Sequence, residues 1–270
     1  MLRHAWLIIA HNEFEVLQRL VSMLDAPESD FYIHFDKKVR MLPEIQVKKG
    51  KLTILKHRID VRWGTISQIK TEFALFESAT QNAPYSYYHI ISGTTLPLKS
   101  LEEIDRFLCG ANGKSVVSGM RLDDPYQETL KLRRYNLFLN YFTARNQILR
   151  KTSQFLWKTA IASQRILNIQ TNSRKTFYKA SNWLSLSQEA VEMILSRKEE
   201  ILKTYRWSFC GDEFFIPSEL MNSPLQEKVF NCENYLLHSI GRANSNSYHL
   251  DEWERFSKST YLFARKFTAR

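Results

Sequence analysis

Apolar residues come in short runs, separated by helix-spaced patterns, through the first hundred positions of the chain. Trp6-Leu7-Ile8-Ile9 is a run that fills a buried strand. Phe14, Leu17, Leu20, Val21 and Leu24 follow at spacings of three and four, which predicts a helix with one apolar face. Residues 31–35 and 52–55 read as a second and a third strand. Ile66, Ile69, Phe73, Leu75 and Phe76 mark another helix, its N-cap at Thr65, and residues 87–92 a further strand. Strands alternating with crossover helices predict an α/β fold whose mostly parallel sheet is covered on both faces. Ligands of such sheets bind at the carboxyl ends of the strands, where His11-Asn12-Glu13, Asp36-Lys37 and Ser92-Gly93-Thr94 fall.

The pattern changes between about 130 and 167. That stretch is helix-like, basic and aromatic, and reads as a helical insertion spanning about 126–178 rather than as sheet core. Alternation resumes with a strand at 183–186 and a helix at 188–195. Residues 214–221 look helical, and Tyr261-Leu262-Phe263-Ala264 is a last apolar piece. At 270 residues the chain can bury one substantial core, so a single domain over 1–270 is expected.

Charge sharpens this picture. The net charge is +10, and from Lys131 to Lys179 there are eleven Lys or Arg residues with no Asp or Glu. Such a balance favours an anionic partner: nucleic acid, a phosphate-bearing ligand or an acidic membrane surface. Cys109, Cys210 and Cys232 are too far apart for a Cys-x-x-Cys site, and fit a reducing compartment. The apolar run at 5–10 is too short for a signal h-region or a membrane span, so a cytoplasmic protein is expected.

The motifs narrow the chemistry. Glycine-rich dinucleotide and phosphate loops are missing, as are His-Glu-x-x-His and Gly-x-Ser-x-Gly. Asp36, just past a buried strand, can accept hydrogen bonds from a uracil or a ribose; the plainer alternative is a turn aspartate. Arg62-Trp63 can pair with phosphate and stack on a ring, or merely anchor a loop. Asp212-Glu213 sits among Phe209, Cys210, Phe214 and Phe215, a setting in which desolvation raises the basicity of a carboxylate and suits it to take a proton from a sugar hydroxyl. The alternative there is a helix start capped by Asp212. No Asp-x-Asp occurs to hold a divalent metal on a diphosphate. Arg265 and Lys266 could supply the missing positive charge, or form a solvated basic tail.

Read in order, these segments resemble the core-2/I-branching N-acetylglucosaminyltransferase family, which includes the peptide O-xylosyltransferases. The likeness runs from Ile8-Ile9-Ala10-His11-Asn12 through Ile33-His34-Phe35-Asp36-Lys37-Lys38, Val61-Arg62-Trp63-Gly64 and Ser92-Gly93-Thr94-Thr95-Leu96-Pro97-Leu98. It continues through Ser181-Asn182-Trp183 and Phe209-Cys210-Gly211-Asp212-Glu213 to Leu262-Phe263-Ala264-Arg265-Lys266-Phe267.

The resemblance implies a GT-A-like nucleotide-sugar-binding fold and an inverting transfer, without an obligatory metal or other cofactor, from a UDP-sugar carrying N-acetylglucosamine or xylose. Glu213 matches the general base, Lys266 the cation that stabilises the departing diphosphate, and Asp36 a position near the uracil. His11, Arg62, Trp63 and Arg265 belong to the donor side, and Trp183, Asn182 and Asp212 to the acceptor side. Three positions depart from the family: Thr95 stands where Asp is common, Asn182 replaces the acid of Ser-Asp-Trp, and His238 aligns with a diphosphate-binding arginine for which Arg242 could substitute.

The resemblance further implies a compact bacterial member that builds surface polysaccharide from the cytoplasmic side, on a glycan or lipid-linked oligosaccharide acceptor. Its basic residues 131–179 would then associate peripherally with anionic membrane. Two other readings stand beside it: a non-catalytic nucleic-acid-binding protein, for which RNA-binding and zinc-finger signatures are missing, and a degenerate transferase that only binds glycan.

Overall fold

The computed structural model describes residues 2–238 and 247–269. Its first strand, β1 (His4–Ala10), is buried throughout except for partly covered Ile9. Helix α1 (Phe14–Leu24) lays Val16, Leu17, Leu20, Val21 and Leu24 on the sheet and leads to β2 (Ser29–Phe35), then β3 (Lys51–Ile54). Helix α2 (Ile66–Thr80) is capped by the Thr65 hydroxyl, which accepts from the Ser67 amide, and precedes β4 (Tyr87–Ser92). Ile8 lies opposite both Ile33 and Ile91, so three strands stack their apolar residues in one layer.

A two-residue strand β5 (Leu96–Pro97) and helix α3 (Leu101–Gly110) come next, the helix held by a reciprocal capping box between Ser100 and Glu103. After β6 (Ser115–Val117) the chain leaves the sheet through α4 (Pro125–Leu132), a 3₁₀ turn at Leu139–Tyr141 and the long α5 (Gln147–Ile166). It returns as β7 (Leu184–Ser187), α6 (Gln188–Ser196), α7 (Lys198–Tyr205) and α8 (Phe215–Met221). Then follow β8 (Val229–Asn231), β9 (Leu236–His238), β10 (Tyr248–His249), α9 (Trp253–Ser257), β11 (Phe263–Arg265) and β12 (Phe267–Thr268).

The main sheet has the order β3-β2-β1-β4-β7-β6-β8. It is parallel from β3 to β4; β7 runs against both its neighbours, and β6 pairs parallel with β8. A small sheet β5-β11-β9 sits beside it. Buried polar groups within the main sheet are satisfied in series: His4 Nε2 meets Asp105 (2.7 Å) and its Nδ1 meets His89 Nε2 (2.9 Å), while His89 Nδ1 meets the Ser185 hydroxyl (2.6 Å).

Two loops bracket the end of β1. The Asp36 amide donates to the Ala10 carbonyl and the Gly93 amide to the Ile9 carbonyl, each at 2.9 Å. A Cβ at position 93 would sit 3.0 Å from that of Ala10, so only glycine lets the loop after β4 close so tightly on β1.

Candidate active site

Beside α2 the chain turns sharply through Cys210, which takes a left-handed conformation (φ 55°), into a 3₁₀ turn at Gly211–Glu213. Gly64 (φ 74°) lies against this turn. Its carbonyl accepts from the Cys210 amide (2.9 Å), and a Cβ on it would fall 2.6 Å from the Phe209 ring. One turn into α2, Gln68 joins the two loops: its Oε1 accepts from the Gly64 amide (2.6 Å), and its Nε2 donates to Asp212 Oδ2 (2.8 Å). Asn182 Nδ2 donates to the same oxygen at 3.1 Å.

Asp212 does not cap α8, which starts at Phe215 without a side-chain cap, because its carboxylate is already held by Gln68 and Asn182. Its Oδ1 is buried with no hydrogen-bond partner. Desolvation first, and then the charge of Glu213, push its pKa up to about 7. Behind it lies Glu72, four residues beyond Gln68 on the same face of α2. Both Glu72 carboxyl oxygens are buried without a partner, and burial followed by the charge of Asp212 drives its pKa well above the carboxylate range. Glu213 is different. Its side chain is 37% exposed, and Lys179 Nζ lies 3.3 Å from its Oε2. It can therefore meet a substrate.

A second cluster is cationic. Arg265 on β11 is buried, with its guanidinium 4.6 Å from the centroid of the Trp183 ring and its Nε donating to the Ser92 hydroxyl at 3.3 Å. This stretch is strand and core rather than a solvated tail, since Phe263 and Ala264 pack in the small sheet. Burial lowers the pKa of Arg265 to about 10; burial and then repulsion from Arg265 lower that of the half-buried Lys266. Among the described residues neither cation has a carboxylate within ion-pair distance. Two desolvated cations side by side without such a partner have the charge to receive an anion. Trp183 stacks on Arg265, and its neighbour Asn182 holds Asp212. The cationic and acidic ends are thus joined through two adjacent residues.

His11 stands at the open end of β1 near the cations. Desolvation lowers its pKa; Asp36 pulls it back up, and Lys266, Lys38 and Arg265 reinforce the fall. Asp36 accepts from the Lys38 amide (2.8 Å) and from Lys38 Nζ (2.7 Å). Lys38 also reaches Asp60, which binds Arg62 at 2.8 Å. The Arg62 charge is therefore already matched, and its guanidinium covers the Tyr141 ring and donates to the Asn140 carbonyl. Trp63 is half exposed and packs edge-on against Phe209 at 5.2 Å. Arg242 and the side chain of His238 lie outside the described residues.

A family profile for the Core-2/I-Branching enzyme matches residues 4–255. The chain belongs to the core-2/I-branching enzyme family. Its seven-stranded, mostly parallel sheet flanked by helices is the GT-A-like architecture expected of that family. Similar curated proteins include an N-acetyllactosaminide beta-1,6-N-acetylglucosaminyl-transferase of Mus musculus, 23% identical over 78% of this chain and 51% of its own length. Another is Xylosyltransferase oxt of Drosophila melanogaster, 24% identical over 88% of this chain and 25% of its own. The chain therefore spans about half or less of the length of these relatives.

Two departures from the core-2/I-branching pattern have a local physical reason. Asn182 brings an amide donor to buried Asp212, where an acid would set two carboxyls face to face. Thr95 hydrogen-bonds the Ser92 hydroxyl at 2.9 Å, next to Arg265, and as a neutral residue leaves that cation uncompensated. Sequence patterns passed over Gln68 and Glu72, and took Lys179 only as part of the basic stretch. The signal for Glu72 was present: an acid amid Ile69, Phe73 and Phe76 at core spacing.

Proposed function

We propose that the protein is an inverting glycosyltransferase that moves a sugar, N-acetylglucosamine or xylose, from a UDP-sugar to the hydroxyl of a glycan. Glu213 takes the proton of the acceptor hydroxyl as that oxygen forms its bond to the anomeric carbon. The bond from that carbon to the diphosphate breaks on the opposite side, and UDP departs with the electron pair. Lys266 and Arg265 receive the developing negative charge, so that side-chain cations do what a bound metal does in other sugar-nucleotide enzymes. His11 and Asp36 lie on the donor side and Trp183 on the acceptor side. A lipid-linked oligosaccharide in surface polysaccharide synthesis, reached from the cytoplasmic face, is the acceptor class this reading favours.

The observation that carries the reading is the pair Arg265 and Lys266, desolvated without a carboxylate partner among the described residues and coupled through Trp183 and Asn182 to Asp212 and Glu213. The test is thermal melting with UDP, GDP and CMP, with and without EDTA. UDP should raise the melting temperature equally in both conditions. Stabilisation that vanishes in EDTA would remove the cation role, and indifference to every nucleotide would remove the donor site.

A further inference from the structure

The eleven cations between Lys131 and Lys179 do not form one surface. Five are bound internally: Lys131 by Asp123, Arg133 by Glu128, Arg134 by the Gln164 carbonyl, Lys175 by Glu219 and Lys179 by Glu213. The other six are Arg145, Arg150, Lys151, Lys158, Arg165 and Arg174. None of these forms an ion pair among the described residues, and Arg165 meets only Tyr126. Four of the six lie on α5.

The geometry of α5 sorts its residues sharply. Ser153, Ile161 and Gln164 face the body, and Gln164 is tied both ways to the Tyr135 backbone. At about 100° per residue, Ile148, Phe155 and Ile166 align on the opposite crest, separated by Thr152, Thr159 and Ala162. The three apolar residues are 76%, 68% and 84% exposed. Lys151, Lys158 and Arg165, seven residues apart, run along one flank; Leu149 and Leu156 run along the other.

Scattered surface apolar groups need no explanation. Three in register on one crest, with a cationic flank and no acid anywhere from 131 to 179, do. A nucleic acid would engage the cations but leave Ile148, Phe155 and Ile166 in water. A second copy of the chain packed crest to crest could cover the crest, but α5 carries no acid to pair with the cationic flank. An anionic bilayer satisfies both features, with the crest at the acyl boundary and the cations at the headgroups. No helix among the described residues is long and apolar enough to cross a membrane, so α5 would lie along the surface.

We propose that α5 docks flat on an anionic phospholipid bilayer, its Ile148–Phe155–Ile166 crest at the headgroup boundary and its Lys151–Lys158–Arg165 flank on the lipid phosphates.

Co-sedimentation with phosphatidylcholine vesicles containing phosphatidylglycerol tests this without any sugar substrate, and so stands or falls apart from the transfer reading. The protein should pellet with these vesicles and stay in solution with phosphatidylcholine alone. The triple variant K151Q/K158Q/R165Q should bind roughly a hundredfold more weakly. I148S/F155S/I166S should also lose binding, while unchanged melting shows that both variants fold. Failure of the wild type to pellet, or unweakened pelleting of both variants, would overturn the proposal. So would a dimer in solution that I148S/F155S/I166S dissociates, or RNA binding tighter than vesicle binding.

Discussion

The acidic end and the cationic end of the candidate site bury charge in opposite ways. At the acidic end Asp212 and Glu72 are buried deeply enough to favour their protonated forms, and only Glu213 reaches solvent. At the cationic end burial lowers the pKa of both Arg265 and Lys266, and among the described residues no carboxylate pairs with them. Had the ends been paired with each other, each would have quenched the other. Trp183 and Asn182 stand between them instead, one stacking on the cation and the other hydrogen-bonding the acid. On the proposed function the acidic end accepts a proton and the cationic end receives an anion.

The largest effect should come from removing the exposed acid. Glu213→Gln should lower kcat by roughly 10²- to 10⁴-fold, the usual contribution of a positioned general base. UDP affinity should hardly change, because the cations are untouched. A fully active variant in a radiolabelled-sugar transfer assay would take the base role away from Glu213.

A smaller effect should follow from spoiling the bridge. Asn182→Asp replaces a donor to Asp212 by a second acid, so turnover should fall by about tenfold. The loss should deepen as pH rises and the two carboxyls are forced to ionise together. A kcat–pH profile superimposable on that of the wild type would show that the amide does not position Asp212.

The smallest effects concern stability. The Asp212 carboxyl ionises near 3.8 when unfolded and at about 7 when folded. Between these values the folded chain keeps a proton that the unfolded chain has lost. Raising the pH through this window therefore turns the group against folding, and the penalty persists above it. Asp212→Asn should melt higher than the wild type by a margin that grows from pH 4 to pH 7. Glu72→Met, which removes two buried oxygens without partners, should add about 1–3 kcal/mol at neutral pH. A drop in melting temperature would mean that Glu72 is bonded in a way the geometry does not show.

Much of this arrangement was written locally in the chain. Strands β1, β2 and β4 stand out because each is buried on both faces and is mostly apolar rather than alternating. Strand β6 did not, being only Ser115–Val117, and α3 was not expected, although Ser100 and Glu103 at its start have the spacing of the capping box they form. Asp212-Glu213 and Arg265-Lys266 stood out as candidates and the resemblance gave Glu213 and Lys266 their roles; neither spacing nor composition says that the two clusters are joined through Asn182 and Trp183. Asn182 looked like a lost acid until its amide was seen to hold Asp212. The basic stretch 131–179 looked uniform, yet tertiary packing divides it into internal ion pairs and the outward face of α5, a distinction that a count of charges cannot make.

The central claim is that side-chain cations bind the diphosphate while Glu213 acts elsewhere. Calorimetric titration of UDP in EDTA into the wild type, Glu213→Gln and Lys266→Ala tests it most directly. Equal affinity for the first two, with binding weakened about tenfold or more in Lys266→Ala, is the expected result. Undiminished UDP binding by Lys266→Ala would contradict it.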